Sequence, residues 1–145
     1  MKSTKPTGIF YHNSFLEHVP PSYHPESPER YRSIFQAVSP LRGDQGFEFI
    51  EATPASWEYL SLGHQQSYLD SIKGLQNNYS LNPHVTIDAA TFMSKGPLNA
   101  AVLAAGAVKT AVDMVLNQEL ANAFCIGRPP GHHATKNQAM GFCFF

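Results

Sequence analysis

The chain has little charge, little cysteine and no long uninterrupted apolar run. Only 14% of its 145 residues are charged, and the formal net charge is −1 at pH 7. Lys and Arg are scattered, with no basic stripe interleaved with aromatics, which argues against direct nucleic-acid binding. The near-neutral balance gives no reason to expect a membrane partner either. Two cysteines, Cys125 and Cys143, are too few for a disulfide framework and fit a reduced, cytoplasmic setting. The basic start MKSTKPTG has no apolar run behind it, so no secretory signal is expected. Nothing reaches the roughly 20 apolar residues that span a bilayer. The segment from Leu98 to Leu116 is long and apolar, but Lys109 and Asp113 interrupt it, and it reads as a buried helix. There is no internal repeat and no low-complexity tract. What the chain does have is 43% hydrophobic residues, enough for one domain with a real core.

Along the chain, apolar runs alternate with helical patterns. Gly8-Ile9-Phe10-Tyr11 reads as a short strand, followed by a polar, Pro-rich loop through His18, Pro20, Pro21, His24 and Pro25. Ser27-Pro28 opens a helix whose face carries Tyr31, Ile34, Phe35 and Val38. Phe47 to Ile50 reads as a second strand. Thr53-Pro54 repeats the cap-plus-proline start before Trp57 and Leu60, and Gly63 ends that short helix. Tyr68, Leu69, Ile72 and Leu75 form another apolar face, and Asn77 to Pro83 reads as a polar loop. Pro97 opens the longest helix. Its first half is crowded with Ala and with Gly106, so that a sheet or another helix can approach closely. The continuous apolar run Ala123 to Ile126 suits a buried parallel strand. Strands separated by helices predict an α/β domain.

The last six residues, Met140-Gly141-Phe142-Cys143-Phe144-Phe145, are almost wholly apolar. A carboxylate directly after them is awkward to bury, so the segment is expected either to stay exposed or to be covered. The expectation is of a larger domain cut within an element.

The chemistry concentrates beyond the last strand, in Gly127-Arg128-Pro129-Pro130-Gly131-His132-His133-Ala134. In open α/β sheets, ligands bind beyond the carboxyl ends of the strands. Two prolines stiffen this loop, so the adjacent imidazoles can be aimed at one reacting centre, and imidazole moves protons near neutral pH. Taken alone, a His-His pair is as readily ordinary surface residues or an adventitious metal binder as it is a proton-moving pair. Adjacent histidines do not share a helical face.

Arg128 to Ala134, followed after a short polar loop by Met140-Gly141-Phe142-Cys143-Phe144-Phe145, resembles the signature of the histone deacetylase and acetylpolyamine amidohydrolase family. The Arg-Pro-Pro-Gly and Gly-Phe-Cys forms resemble its class II-like branch, which has many bacterial members. Weaker matches lie at Tyr11-His12, His24-Pro25-Glu26 with Pro28 and Arg30, His64 with Tyr68-Leu69, and Ala104 to Ala107. The resemblance covers nearly the whole chain but only about the first half or less of a complete domain. Residues 1–145 are therefore expected to be the amino-terminal portion of one deacetylase domain. Its fold would be the first strands and helices of the three-layer, parallel-sheet arginase/deacetylase architecture.

The resemblance implies hydrolysis of an acetyl-lysine or acetyl-polyamine amide, with a catalytic zinc that polarises the carbonyl and activates water. His132 would hydrogen-bond that water, and His133 would act as general base and then general acid. Phe142, shaped by Gly141, would line the narrow acyl-lysine tunnel. Arg30 would sit near the inner cavity, with an ordinary helix-start arginine as the plain alternative. His24 and His64 read as structural, and Cys143 as buried near the site rather than nucleophilic. The family's zinc ligands, an Asp-x-His pair and a further Asp, lie downstream of Gly-Phe-Cys. Of the four Asp here (Asp44, Asp70, Asp88 and Asp113), none is followed two positions later by His. The carbonyl-polarising Tyr and the carboxylates that orient the His pair are likewise downstream. Asp88 is a shifted candidate for the acidic residue that grips the substrate backbone.

With no metal ligands in the chain, the isolated polypeptide is expected to be inactive. Zinc-bound water has a pKa of about 7, against about 15.7 for bulk water. The alternative is a non-catalytic truncated product or interaction module. Its last strand would leave an exposed sheet edge through which it could self-associate or be complemented by another chain.

Overall fold

The computed structural model describes residues 5–20, 23–77, 85–93 and 96–145. Pro21, His84 and most of the Asn-rich stretch read as a loop (78–83) lie outside the described residues. The elements are β1 (Thr7–Tyr11), a 3-10 turn (Asn13–Leu16), α1 (Pro28–Val38), a second 3-10 turn (Ser39–Leu41), β2 (Phe47–Glu51), α2 (Trp57–Leu60) and α3 (Gln66–Asn77). They are followed by β3 (Val85–Thr86), β4 (Phe92–Met93), α4 (Pro97–Leu116) and β5 (Asn122–Cys125).

The sheet order is β2-β1-β5, with both pairings parallel. Thr7 pairs with Phe47 on one side and with Asn122 on the other. Strand side chains alternate between faces. Tyr11 reaches toward α1, its ring 5.4 Å from that of Phe35. Gly8 faces the other way: a Cβ there would lie 2.5 Å from Leu120 and 3.1 Å from the Phe10 ring. Ile9, Phe10, Phe15, Tyr31, Leu103, Ala107 and Leu120 join in one buried core around the sheet. A second cluster, around Leu60, Leu69, Ile72, Leu98, Val102 and Phe144, packs α2 and α3 against the first half of α4.

Ala100 and Ala107 of α4 pack into the core beside Ile9 and Phe10 of β1, as small residues facing a sheet should, but Gly106 meets neither a strand nor a helix. Gly106 abuts the extended segment after β2, where a Cβ would fall 1.9 Å from the Thr53 carbonyl oxygen and 2.5 Å from Ala55 N. The Ala55 N–H donates to the Val102 carbonyl at 3.0 Å, outside the regular ladder of either element. Thr53-Pro54 is therefore not the helix start that its composition predicts. Ser56 is the N-cap of α2, its hydroxyl accepting the Tyr59 N–H at 3.1 Å. On α1, Tyr31 is buried but Ile34 is 38% exposed, so the apolar face is narrower than the sequence pattern implies.

β5 is an edge strand among the described residues, and its Phe124 is 46% exposed. A continuous apolar run fits a parallel strand covered on both faces. Here the central side chain lacks that cover on one face. The closing apolar segment resolves differently. Phe144 is fully buried in the second cluster, and its carbonyl accepts the Tyr68 hydroxyl at 2.6 Å.

Candidate active site

The loop that follows β5 begins with Ile126, whose N–H donates to the Phe10 carbonyl at 2.9 Å and so extends the β1–β5 pairing by one residue. Arg128 comes next but one and is 3% exposed. Its Nε and Nη2 donate to the two carboxylate oxygens of Glu26 at 2.8 and 2.9 Å, and Nη1 donates to the Phe15 carbonyl. Glu26 is 2% exposed, and the His18 imidazole lies 3.4 Å from its Oε2. Burial, then the Arg128 charge, then His24 push the His18 imidazole down from 6.5 to about 4. The Arg128–Pro129 peptide is cis.

Past the two prolines, His132 and His133 emerge side by side, both exposed, with ring centroids 4.4 Å apart in an edge-on arrangement. Gly141 backs onto this pair: a Cβ there would stand 2.9 Å from the His133 ring. Gly141 also has a φ of +56°, so space and backbone both favour glycine. Phe142 follows with a φ of +73°, an uncommon conformation for a residue with a side chain. A hydrogen bond compensates, as the Phe142 N–H donates to the buried Thr91 hydroxyl at 3.0 Å. The edge of the His24 ring packs on Phe142 with centroids 4.6 Å apart, and Phe92 lies 5.7 Å from His24.

Cys143 joins the two halves of the site. Its sulfur accepts the His133 N–H at 3.4 Å and its thiol donates to the Gly141 carbonyl at 3.3 Å. Burial pushes this thiol above its ordinary range, as it does for Cys125, so both are protonated at neutral pH and neither is a ready nucleophile.

Arg30, on the first turn of α1, His132, His133 and Phe142 all line one cavity of about 390 Å³. Glu26, Tyr31, Phe124 and Arg128 complete much of its wall. Four of the five residues singled out in the sequence thus meet in one place, and the fifth, Gly141, abuts His133. His64 is elsewhere: its Nδ1 is 2.9 Å from the Thr135 carbonyl, and its ring packs on Tyr68 and Phe145. Asp88 is turned to its own loop, accepting the N–H groups of Ala90 and Thr91 at 2.8 and 2.7 Å. Burial is the largest single influence and opposes its ionisation, but these N–H donors, the Thr91 hydroxyl and the Gly141 N–H together outweigh it and hold its carboxyl below its ordinary value.

Two pairings in this site, Thr91 with Phe142 and Glu26 with Arg128, were not legible in the sequence. Thr91 carries no signal beyond the Asx-turn spacing from Asp88. Glu26 and Arg128 each fall in a stretch that resembles the family, but nothing in either stretch says that the two pair with each other.

Among the described residues, no three His, Cys, Asp or Glu side chains converge as metal ligands would. The residues present do not fit a zinc centre by themselves. What the site can do with its own atoms is move a proton between exposed imidazoles beside an aromatic wall and an arginine.

The histone deacetylase domain matches residues 24–145 of this chain. Histone deacetylase 5 of Arabidopsis thaliana is 32% identical over 143 residues, which are 95% of this chain and 22% of that protein. A probable deacetylase of Archaeoglobus fulgidus is 34% identical, covering 95% and 38%. A histone deacetylase-like amidohydrolase of Pseudomonas aeruginosa is 37% identical over 124 residues, covering 84% and 31%. The chain therefore spans well under half the length of these relatives. The crystal structure of the HDA15 HD domain superposes with a TM-score of 0.83 at 26% identity, over 97% of this chain and 40% of that one. Its parallel sheet with helices is accordingly part of the α/β arginase/deacetylase fold. A match across this much of the sequence, together with that superposition, leaves one conclusion: the chain belongs to the histone deacetylase family.

Proposed function

We propose that this chain is the amino-terminal part of a deacetylase domain and contributes the proton-transfer half of its active site. The observation that carries this reading is the single cavity shared by His132, His133, Phe142 and Arg30. In the complete domain the substrate is an acetylated amine, a lysine side chain or a polyamine. Its apolar stem lies along the Phe142 ring, which offers flat area at little entropy cost. His132 hydrogen-bonds the attacking water. His133 takes up the water's proton and returns it to the departing amine, a transfer suited to imidazole near neutral pH. Arg30 offers positive charge to the acetate released. Zinc is the metal that the family resemblance implies, and the described residues offer no ligand set for it. Its ligands would therefore come from polypeptide other than these residues.

The test is hydrolysis of an acetyl-lysine peptide. The chain alone, supplied with zinc, is expected to show no turnover. Fused in place of the corresponding amino-terminal part of the Archaeoglobus fulgidus relative, it is expected to support turnover that His133→Ala abolishes. Turnover by the isolated chain, or an active fusion indifferent to His133→Ala, would overturn the reading.

A second reading is an interaction module that works through the open side of β5. The exposed Phe124 and the unpaired strand edge among the described residues favour it. Concentration-dependent self-association that is lost in Phe124→Lys supports this reading, and a strictly monomeric chain removes it.

A further inference from the structure

The Glu26–Arg128 pair lies 102 residues apart in sequence and is buried on both sides. All three of the guanidinium nitrogen positions are engaged, two on the carboxylate and one on the Phe15 carbonyl. This two-pronged contact fixes orientation as well as distance, which a lysine could not do. Burying such a pair is a poor way to gain stability, because well-packed apolar side chains of similar volume often do as well or better. Its position offers another use. Arg128 opens the stiff Pro129-Pro130 loop that delivers His132 and His133. Glu26 receives its partner in the segment where its own N–H donates to His24 Nδ1 at 3.2 Å. His24 in turn backs the Phe142 ring at 4.6 Å.

We infer that Glu26 and Arg128 are positioning residues. Their clasp sets the imidazole pair on one strand-end loop against the aromatic wall that His24 supports from the other. Neither residue is assigned a part in the chemistry. The functional meaning of the clasp rests on the reading of His132 and His133 as the proton-transfer pair, whereas the geometric claim stands by itself.

The test uses the full chain labelled with 15N and 13C at histidine and phenylalanine, observed by NMR. Three variants are compared with the parent: Glu26→Leu with Arg128→Met, which replaces both charges by apolar side chains; Glu26→Gln, which keeps size and one acceptor; and Arg128→Lys. All three are expected to unfold cooperatively. The double variant is expected to lose the His132–His133 and His24–Phe142 ring-to-ring cross-peaks, and Glu26→Gln to weaken them about twofold. Arg128→Lys, which keeps the charge without the fork, is expected to behave like Glu26→Gln. Cross-peaks that persist unchanged in any folded variant overturn the proposal. Should the double variant fail to fold, Glu26→Gln and Arg128→Lys decide the matter by the same criterion. No activity is read, so failure of the deacetylase reading and failure of the clasp register in separate experiments.

Discussion

The sulfur of Cys143 accepts the backbone N–H of His133 at 3.4 Å, across a separation of ten residues. The same thiol donates a hydrogen bond to the Gly141 carbonyl at 3.3 Å. The loop that carries the imidazoles and the turn that carries the aromatic wall are thereby tied through one buried atom.

Cys143→Ala is therefore expected to loosen the site before it loosens the fold. Two weak sulfur hydrogen bonds and a little volume are lost, for about 1–2 kcal/mol in all. Amide exchange at His133 should accelerate roughly tenfold relative to β1 amides, since 1.4 kcal/mol corresponds to about that factor. Equal acceleration throughout the sheet would show that the thiol only fills space.

Thr91→Val probes the brace on Phe142. Valine keeps the shape but leaves the Phe142 N–H without its 3.0 Å acceptor. A buried donor left unpaired costs about 1–3 kcal/mol. Urea unfolding should show that loss, and Thr91→Ser should restore most of it. If valine and serine are equally stable, the hydroxyl is not what holds the turn.

His18 makes stability fall toward acid pH. Its imidazole sits at about 4 in the folded chain because of burial, Arg128 and His24, in that order, against an ordinary value of 6.5. Between those values the unfolded state binds more protons than the native one. The stabilising contribution is thus complete above pH 6.5 and drains away as the pH falls to about 4, by about 3 kcal/mol. The carboxyl of Asp88, held below its ordinary value, loses its contribution only at still lower pH. His18→Gln should flatten the urea midpoint across the window from 6.5 to 4. A slope as steep as the parent's would place the acid sensitivity elsewhere.

Gly106→Ala should be among the most damaging methyl additions in the chain. The new Cβ would meet the Thr53 carbonyl at 1.9 Å and Ala55 N at 2.5 Å, both backbone atoms that cannot swing aside. Separating α4 from that segment costs about 3 kcal/mol as overpacking. Denaturant titration reads it, and a loss well under 1 kcal/mol would mean the two backbones are not held in register.

Much of the fold was legible because local chemistry and tertiary placement agreed. Pro28 and Pro97 mark the helix starts they occupy, and the apolar runs at Ile9, Phe49 and Phe124 lie in strands. Where they disagreed, tertiary contact won. Thr53-Pro54 has the composition of a helix start but is held extended against α4, and Ser56 caps α2 instead. Ile34 has the right spacing for the core, but the face it occupies lines the cavity beside Phe124 of β5 and stays partly exposed.

In the site, the residue types were written in the sequence. The tandem imidazoles, the stiff loop before them and the Gly-Phe-Cys turn are local facts, and a motif carries them whatever surrounds it. Their meeting with Arg30 in one cavity, the Glu26–Arg128 pairing and the Thr91 bond to Phe142 span from 51 to 112 residues of chain. Such contacts have no signature in any short window. They arise only when the strands align in parallel and bring the loops at their carboxyl ends to the same side of the sheet.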